Sequence, residues 1–127
     1  MTIQDNILAL EAKTGLAVQL LDGPNDNKCL VIKDYHLNEV IWNKKTTDIL
    51  LLIPPLYPNA KLDMFWVDQD LLYSDNSVPQ SADVIETYLG GNWRRFSRHI
   101  TDWNPARDSL ISFMDNIDLW LSNKSII

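Results

Sequence analysis

Apolar positions change their spacing twice along the 127-residue chain, and the changes divide it into three stretches. Ile3, Ile7, Leu8 and Leu10 recur at helical spacing over residues 3–13, with Thr2 ahead of them as an N-cap and Gly15 behind them as a stop. From Leu16 to Trp66 the pattern turns to short β-favouring runs, LAVQLL, CLVIKDY, DILLLI and LDMFWV, with DGPNDNK and NKKTT as polar breaks. Four strands in sequence with short connections predict an antiparallel meander. In the second run Cys29, Val31 and Lys33 fall on one face and Leu30, Ile32 and Asp34 on the other.

Pro54, Pro55 and Pro58 follow the third run. Each removes a ladder donor and restricts the residue before it, so the chain must leave the sheet there and re-enter at LDMFW. Residues 67–92 read as a long irregular loop, with one short helical turn around ADVIETYL and a permissive Gly90-Gly91 pair. A loop of that length in a small domain commonly carries function. The C-terminal pattern predicts a docked helix. Asn104 is its cap, Pro105 its first residue and Asp108 lies in its first turn, while Leu110, Phe113 or Met114, Ile117, and Trp120 or Leu121 line one face.

Length and composition narrow the class. The chain fits one domain, 1–127, and is long enough to bury a core. A net charge of -6 with a single basic cluster, WRRFSRH, excludes the clustered cations that nucleic-acid binding needs. The first residues, carrying Asp5 and Glu11, lack the basic start and apolar block of a secretory signal, and no apolar run has spanning length. A soluble, cytoplasmic protein without membrane or nucleic-acid partners is expected. The one cysteine, Cys29, forms no internal disulfide and no zinc cluster; a strand position without strong cationic neighbours makes it a buried hydrophobe rather than a nucleophile. His36 lies by a turn, and two histidines with scattered acids give no metal spacing, so neither a metal nor a cofactor is expected.

The order of helix, meander, LLLIPPLYP, long loop and DWNPARDSLISFM resembles the ubiquitin-conjugating enzyme (UBC) superfamily. LLLIPPLYP is similar to its strand followed by Tyr-Pro, and DWNP to the Trp-x-Pro step that opens the helix behind its active site. With DMFW and WRRFSRH, the chain is most similar to the prokaryotic ubiquitin-conjugating-like family E. The resemblance implies an α+β, UBC-like fold: an N-terminal helix, a four-stranded antiparallel meander, a long active-site loop and a C-terminal helix. It also implies a bacterial setting with a ubiquitin-like protein, an activating (adenylating) enzyme and a protein substrate as partners. Thiol-using members carry a cysteine a few residues before Trp-x-Pro and a His-Pro-Asn upstream. Here the corresponding window, NWRRFSRHITD, has no cysteine, and the chain contains no His-Pro-Asn.

Acyl transfer requires a nucleophile, a base and oxyanion donors. Ser97 is the one hydroxyl in the window with an imidazole close by, and Thr101 is second to it. If FSRHI is extended, Ser97 and His99 project from one face as nucleophile and base, Phe96 and Arg98 from the other. Asp102 is the candidate to orient His99. Arg95 and Arg98, with Arg94, supply positive potential at an oxyanion or receive the ubiquitin-like C-terminus. Asn92, or the backbone N–H groups of Gly90 and Gly91, stand in for the missing asparagine, and Trp93 and Phe96 wall the site. Trp42, Trp66 and Trp120 are read as core, and Trp103 as a wedge before the last helix. Each feature also has a plain structural reading: a loop serine bonding its own backbone, a His–Asp pair, arginines in ordinary ion pairs. Two functions follow. One is a conjugating enzyme carrying its cargo as a serine oxyester; the other is an inactive UBC-variant module that holds a ubiquitin-like protein or scaffolds its activating enzyme.

Overall fold

A computed structural model describes residues 2–123; Met1 and residues 124–127, which the 1–127 domain reading includes, lie outside the described residues. Helix α1 spans Ile3–Thr14, closed by a capping box between Thr2 and Asp5 and by Gly15 in the left-handed conformation. Strands β1 (Val18–Asp22), β2 (Lys28–His36), β3 (Thr46–Ile53) and β4 (Phe65–Asp68) follow, then β5 (Val84–Tyr88), β6 (Gly91–Phe96) and helix α2 (Leu110–Ser122). The sheet order is β1-β2-β3-β4-β6-β5, every neighbouring pair antiparallel.

The α+β architecture, with a helix at each end of an antiparallel sheet, is the expected one. The sheet extends beyond the four-strand meander because β5 and β6 form a hairpin inside the stretch read as loop. Leu89 and Gly90 both have positive φ at its tip, the geometry of a tight hairpin turn, and the helical turn expected around ADVIETYL is strand instead. The face alternation predicted for the second strand holds from Cys29 to Ile32. It then breaks at a bulge where Asp34 takes φ 57° and is exposed.

Both helices cover one sheet face. Ile7 and Leu10 of α1 and Leu110, Phe113, Met114, Ile117 and Leu121 of α2 pack with Leu30, Ile32, Ile49, Leu51, Phe65 and Phe96. Six rings run through this core in successive contact, Tyr73, Trp42, Phe96, Phe65, Trp120 and Phe113, with centroids 5.1–6.1 Å apart. Such pairs add about 0.5–1.5 kcal/mol each beyond area burial. Trp42 also donates to the Leu121 carbonyl at 2.7 Å, fixing the end of α2. On the opposite face Cys29, Val31, Leu50 and Trp66 form a smaller cluster with Tyr88 and Trp93 packed against it.

The proline connector after β3 contains a cis Tyr57–Pro58 peptide. Tyr57 donates its hydroxyl to Asn6 Oδ1 at 2.5 Å and accepts the Leu110 N–H at 2.6 Å, joining α1, the connector and α2 through one atom. Helix α2 starts later than the sequence suggests: Ser109, not Asn104, is its cap, in a capping box with Ser112. Asn104 and Pro105 belong to a separate turn, in which Asn104 Oδ1 accepts from Ala106 N–H and Asp108 accepts the Asn104 N–H at 2.8 Å. The helix cannot include this turn because Asp108 bonds back to it.

Tyr57→Phe removes the hydroxyl that accepts from a first-turn amide and donates to the buried Asn6; a loss of about 1–3 kcal/mol is expected, read from urea unfolding. The Asn104 N–H, aided by the Ser112 hydroxyl and Arg107, holds the Asp108 carboxyl below its usual range. A depressed carboxyl contributes stability that is present above about pH 4 and lost as pH falls through the folded-state value. Asp108→Asn should therefore make the decline of the urea midpoint between about pH 6 and about pH 3 shallower than in the parent protein.

Candidate functional site

Strand β6 pairs with β4 from Phe65↔Phe96 to Asp68↔Trp93, and its last residue, Phe96, is fully buried in the core. Immediately beyond, Arg98 N–H bonds the Phe96 carbonyl at 2.9 Å, a three-residue turn with Ser97 at its apex. Ser97 N–H donates to Ser81 O at 3.1 Å, and Met64 N–H to Arg98 O at 3.0 Å. The extended reading of FSRHI thus ends at Phe96. Ser97 is half-buried, and among the described residues its hydroxyl is not hydrogen-bonded to His99.

The carboxylate set against His99 is Asp63, not Asp102: His99 Nδ1 lies 2.5 Å from Asp63 Oδ1. The β4–β6 ladder followed by the turn at Ser97, which shifts the pairing by one, brings residue 63 beside residue 99, whereas Asp102 is exposed in the following turn, where its backbone carbonyl accepts from Arg107 at 3.3 Å. The side chains of His99 and Asp63 are 51% and 33% exposed, so the pair faces solvent. Among the described residues Nε2 of His99 has no hydrogen-bond partner.

The arginines divide by role. Arg94 donates to Gln69 O at 3.0 Å and to Ala82 O at 2.7 Å, tying both ends of the 69–82 loop to β6. Arg98 donates to Gln80 O at 2.8 Å and to Ser97 O at 3.3 Å, and its guanidinium lies 5.6 Å from the centre of the Phe96 ring. Burial lowers the Arg98 pKa from its usual range, although a guanidinium stays charged. Arg95 turns to the opposite sheet face, 3.5 Å from Glu86, and the Nε atoms of Arg95 and Arg98 are buried without a hydrogen-bond partner.

Asn92 and Trp93 do not join Ser97. Asn92 Oδ1 accepts from Thr87 within the hairpin, and Trp93 Nε1 donates to Tyr88 O in the cluster around Trp66. Five residues of strand place Asn92 about 16 Å from Ser97, and Gly90 and Gly91 farther still, so none of them reaches the same oxyanion. Phe96 is core rather than a wall of an open site. Trp103 does precede α2 as a wedge: it packs on the core and donates to Pro58 O at 2.8 Å. Cys29 is fully buried under the hairpin side of the sheet, and burial raises its thiol pKa. Gly23 lies so close over it that a Cβ there would come within 2.8 Å of its sulfur.

The residue that sequence reasoning missed is Asp63. No local spacing relates it to His99; the one available signal was its position at the mouth of LDMFWV, the strand that re-enters beside the WRRFSRH segment. No group of three or more His, Cys, Asp and Glu residues among the described residues is placed to hold a metal ion.

A helix-flanked antiparallel sheet, a Tyr-Pro connector that contacts both helices, and a Trp-x-Pro turn before the second helix define an E2-like protein. The chain belongs to the prokaryotic E2 family E, whose pattern matches residues 12–124, and this gives it a ubiquitin-conjugating-like role. Neither a curated protein nor a solved structure matches it significantly. No helix among the described residues is long and apolar enough to cross a membrane.

Arg94→Ala should free the 69–82 loop at a cost of about 1–2 kcal/mol. Hydrogen exchange read by mass spectrometry is expected to quicken across 69–82 and to stay unchanged in the β2–β3 ladder.

Proposed function

We propose that the protein receives the C-terminus of a ubiquitin-like protein from an activating enzyme as an oxyester on Ser97 and passes it to a protein target. The supporting observation is a thiol-free turn beside the Trp-x-Pro step. It carries a serine two residues from a solvent-facing imidazole, while the single cysteine is sealed under the sheet. In the acylation step Ser97 Oγ bonds the activated carbonyl carbon as that carbon's bond to the leaving sulfur of the activating enzyme breaks. The hydroxyl proton moves to His99 Nε2 and then to the leaving thiolate. In the second step an acceptor hydroxyl or amine attacks the ester carbonyl and restores the Ser97 hydroxyl. An oxyester is a less activated donor than a thioester, which favours hydroxyl acceptors. No cofactor enters this chemistry, and the setting proposed is the bacterial cytoplasm.

A second reading, an inactive variant that holds a ubiquitin-like protein or its activating enzyme, draws on the half-buried Ser97 and on arginines bonded to backbone carbonyls. One experiment separates the two. Incubation with activating enzyme, ATP and the ubiquitin-like protein should yield an adduct that resists thiols, is cleaved by hydroxylamine and is lost in Ser97→Ala. A complex that forms without any covalent adduct supports the binding module, and a thiol-sensitive adduct lost in Cys29→Ser overturns the oxyester.

A further inference from the structure

The geometry points to Asp63 as the positioning residue of this site: it holds His99 in the tautomer that leaves Nε2 free to take the proton of Ser97. The inference rests on the oxyester reading above and adds to it the group that makes a surface imidazole a directed base.

Three observations carry it. The first is the 2.5 Å approach of Asp63 Oδ1 to His99 Nδ1. A carboxylate only accepts, so Nδ1 must be the protonated nitrogen, and in the neutral ring the lone pair then resides on Nε2. The second is the framework. Met64 N–H bonds Arg98 O, so the residues flanking the pair are tethered to each other through the backbone beyond the one-residue shift at Ser97, and Met64 is held at φ 60°, outside the usual range for a side-chain-bearing residue. The third is location. Ser97 and His99 are two residues apart, so their α-carbons lie within about 7 Å, and the same turn that lifts Ser97 off the strand leads directly into His99.

The pair contributes little as a surface ion pair, since both side chains are substantially exposed and such contacts are screened. His99 is also the one basic side chain paired with Asp63 among the described residues. Removing Asp63 should therefore alter the site more than the fold.

The test uses the full chain with a synthetic peptide thioester ending in Gly-Gly, with ester formation on Ser97 followed by intact-mass spectrometry. Asp63→Ala and Asp63→Asn are expected to slow acylation about 100-fold with the same half-saturating thioester concentration, and Asp63→Glu to recover part of the loss. Two-bond 1H–15N spectra of the His99 ring are expected to show Nδ1–H in the parent chain and a change to Nε2–H in Asp63→Ala, with the fold's backbone spectrum retained. An unchanged acylation rate in both Asp63 variants, with Ser97 still the modified residue, overturns the positioning role and leaves the oxyester reading standing. A parent chain that is never acylated, or is acylated equally in Ser97→Ala, removes both. An Nε2–H tautomer in the parent overturns the positioning role whatever the acylation result.

Discussion

The four-residue ladder between β4 and β6 is the constraint on which the rest depends. β4 has only two paired positions with β3, Ile49↔Val67 and Leu50↔Trp66, so its place in the sheet is set as much by β6 as by the meander. Because Phe65 lies opposite Phe96, both rings enter the core together, 5.1 Å apart, and each touches a second aromatic, Trp120 and Trp42. A one-residue slip of β6 would send Phe96 to the other face and bring Arg95 into the core against Phe65. Burial of the two phenylalanines, about 1.5–3 kcal/mol apiece, therefore fixes the register, and the register fixes which residues meet past the strand ends. With the one-residue turn at Ser97 added to that register, Asp63 meets His99.

The remaining walls of the region are held by polar contacts to backbone. Tyr57 joins the two helices to the connector, Trp103 joins the pre-helical turn to Pro58, and Arg94 and Arg98 fasten the 69–82 loop along β6. Trp103, Arg94 and Arg98 bond carbonyls that have no strand partner, the usual way an irregular segment satisfies its main chain near a core. The loop that looked free in sequence is in consequence tied at Gln69, Gln80 and Ala82.

Much of this was legible from residues alone where the signal was local. Thr2 and Gly15 bound α1 as expected, the four meander strands lie where alternation put them, and Leu30 and Ile32 face the helices while Cys29 and Val31 face away. The β5–β6 hairpin was missed although Gly90-Gly91 sits between two β-favouring runs, because Ile85 and Leu89 are also spaced as on a helix; pairing with β4 decided the matter. The start of α2 was misplaced because Asn104-Pro105 is a good opening in isolation, and only the return bond from Asp108 makes it a separate turn. The partner of His99 was beyond reach for a different reason. Thirty-six residues separate it from Asp63, and no periodicity encodes a contact made by two strands that each end at that point.

The bonded state of Arg94 and Arg98 has two sides for the acyl transfer proposed at Ser97. Donor hydrogens directed at Gln69, Gln80, Ala82 and Ser97 carbonyls are not aimed at a substrate, which weakens the picture of arginines gripping a tail. Their charges remain, however, in a protein of net charge -6, and those bonds hold the charges still. Stabilisation of a developing oxyanion depends on how little the surrounding dipoles and charges must move as the negative charge forms. A guanidinium locked over Phe96 and against Gln80 O meets that condition better than a mobile surface arginine with a free fork. Under the oxyester proposal, the bonds that fasten the loop would also keep the field of these residues at the turn constant.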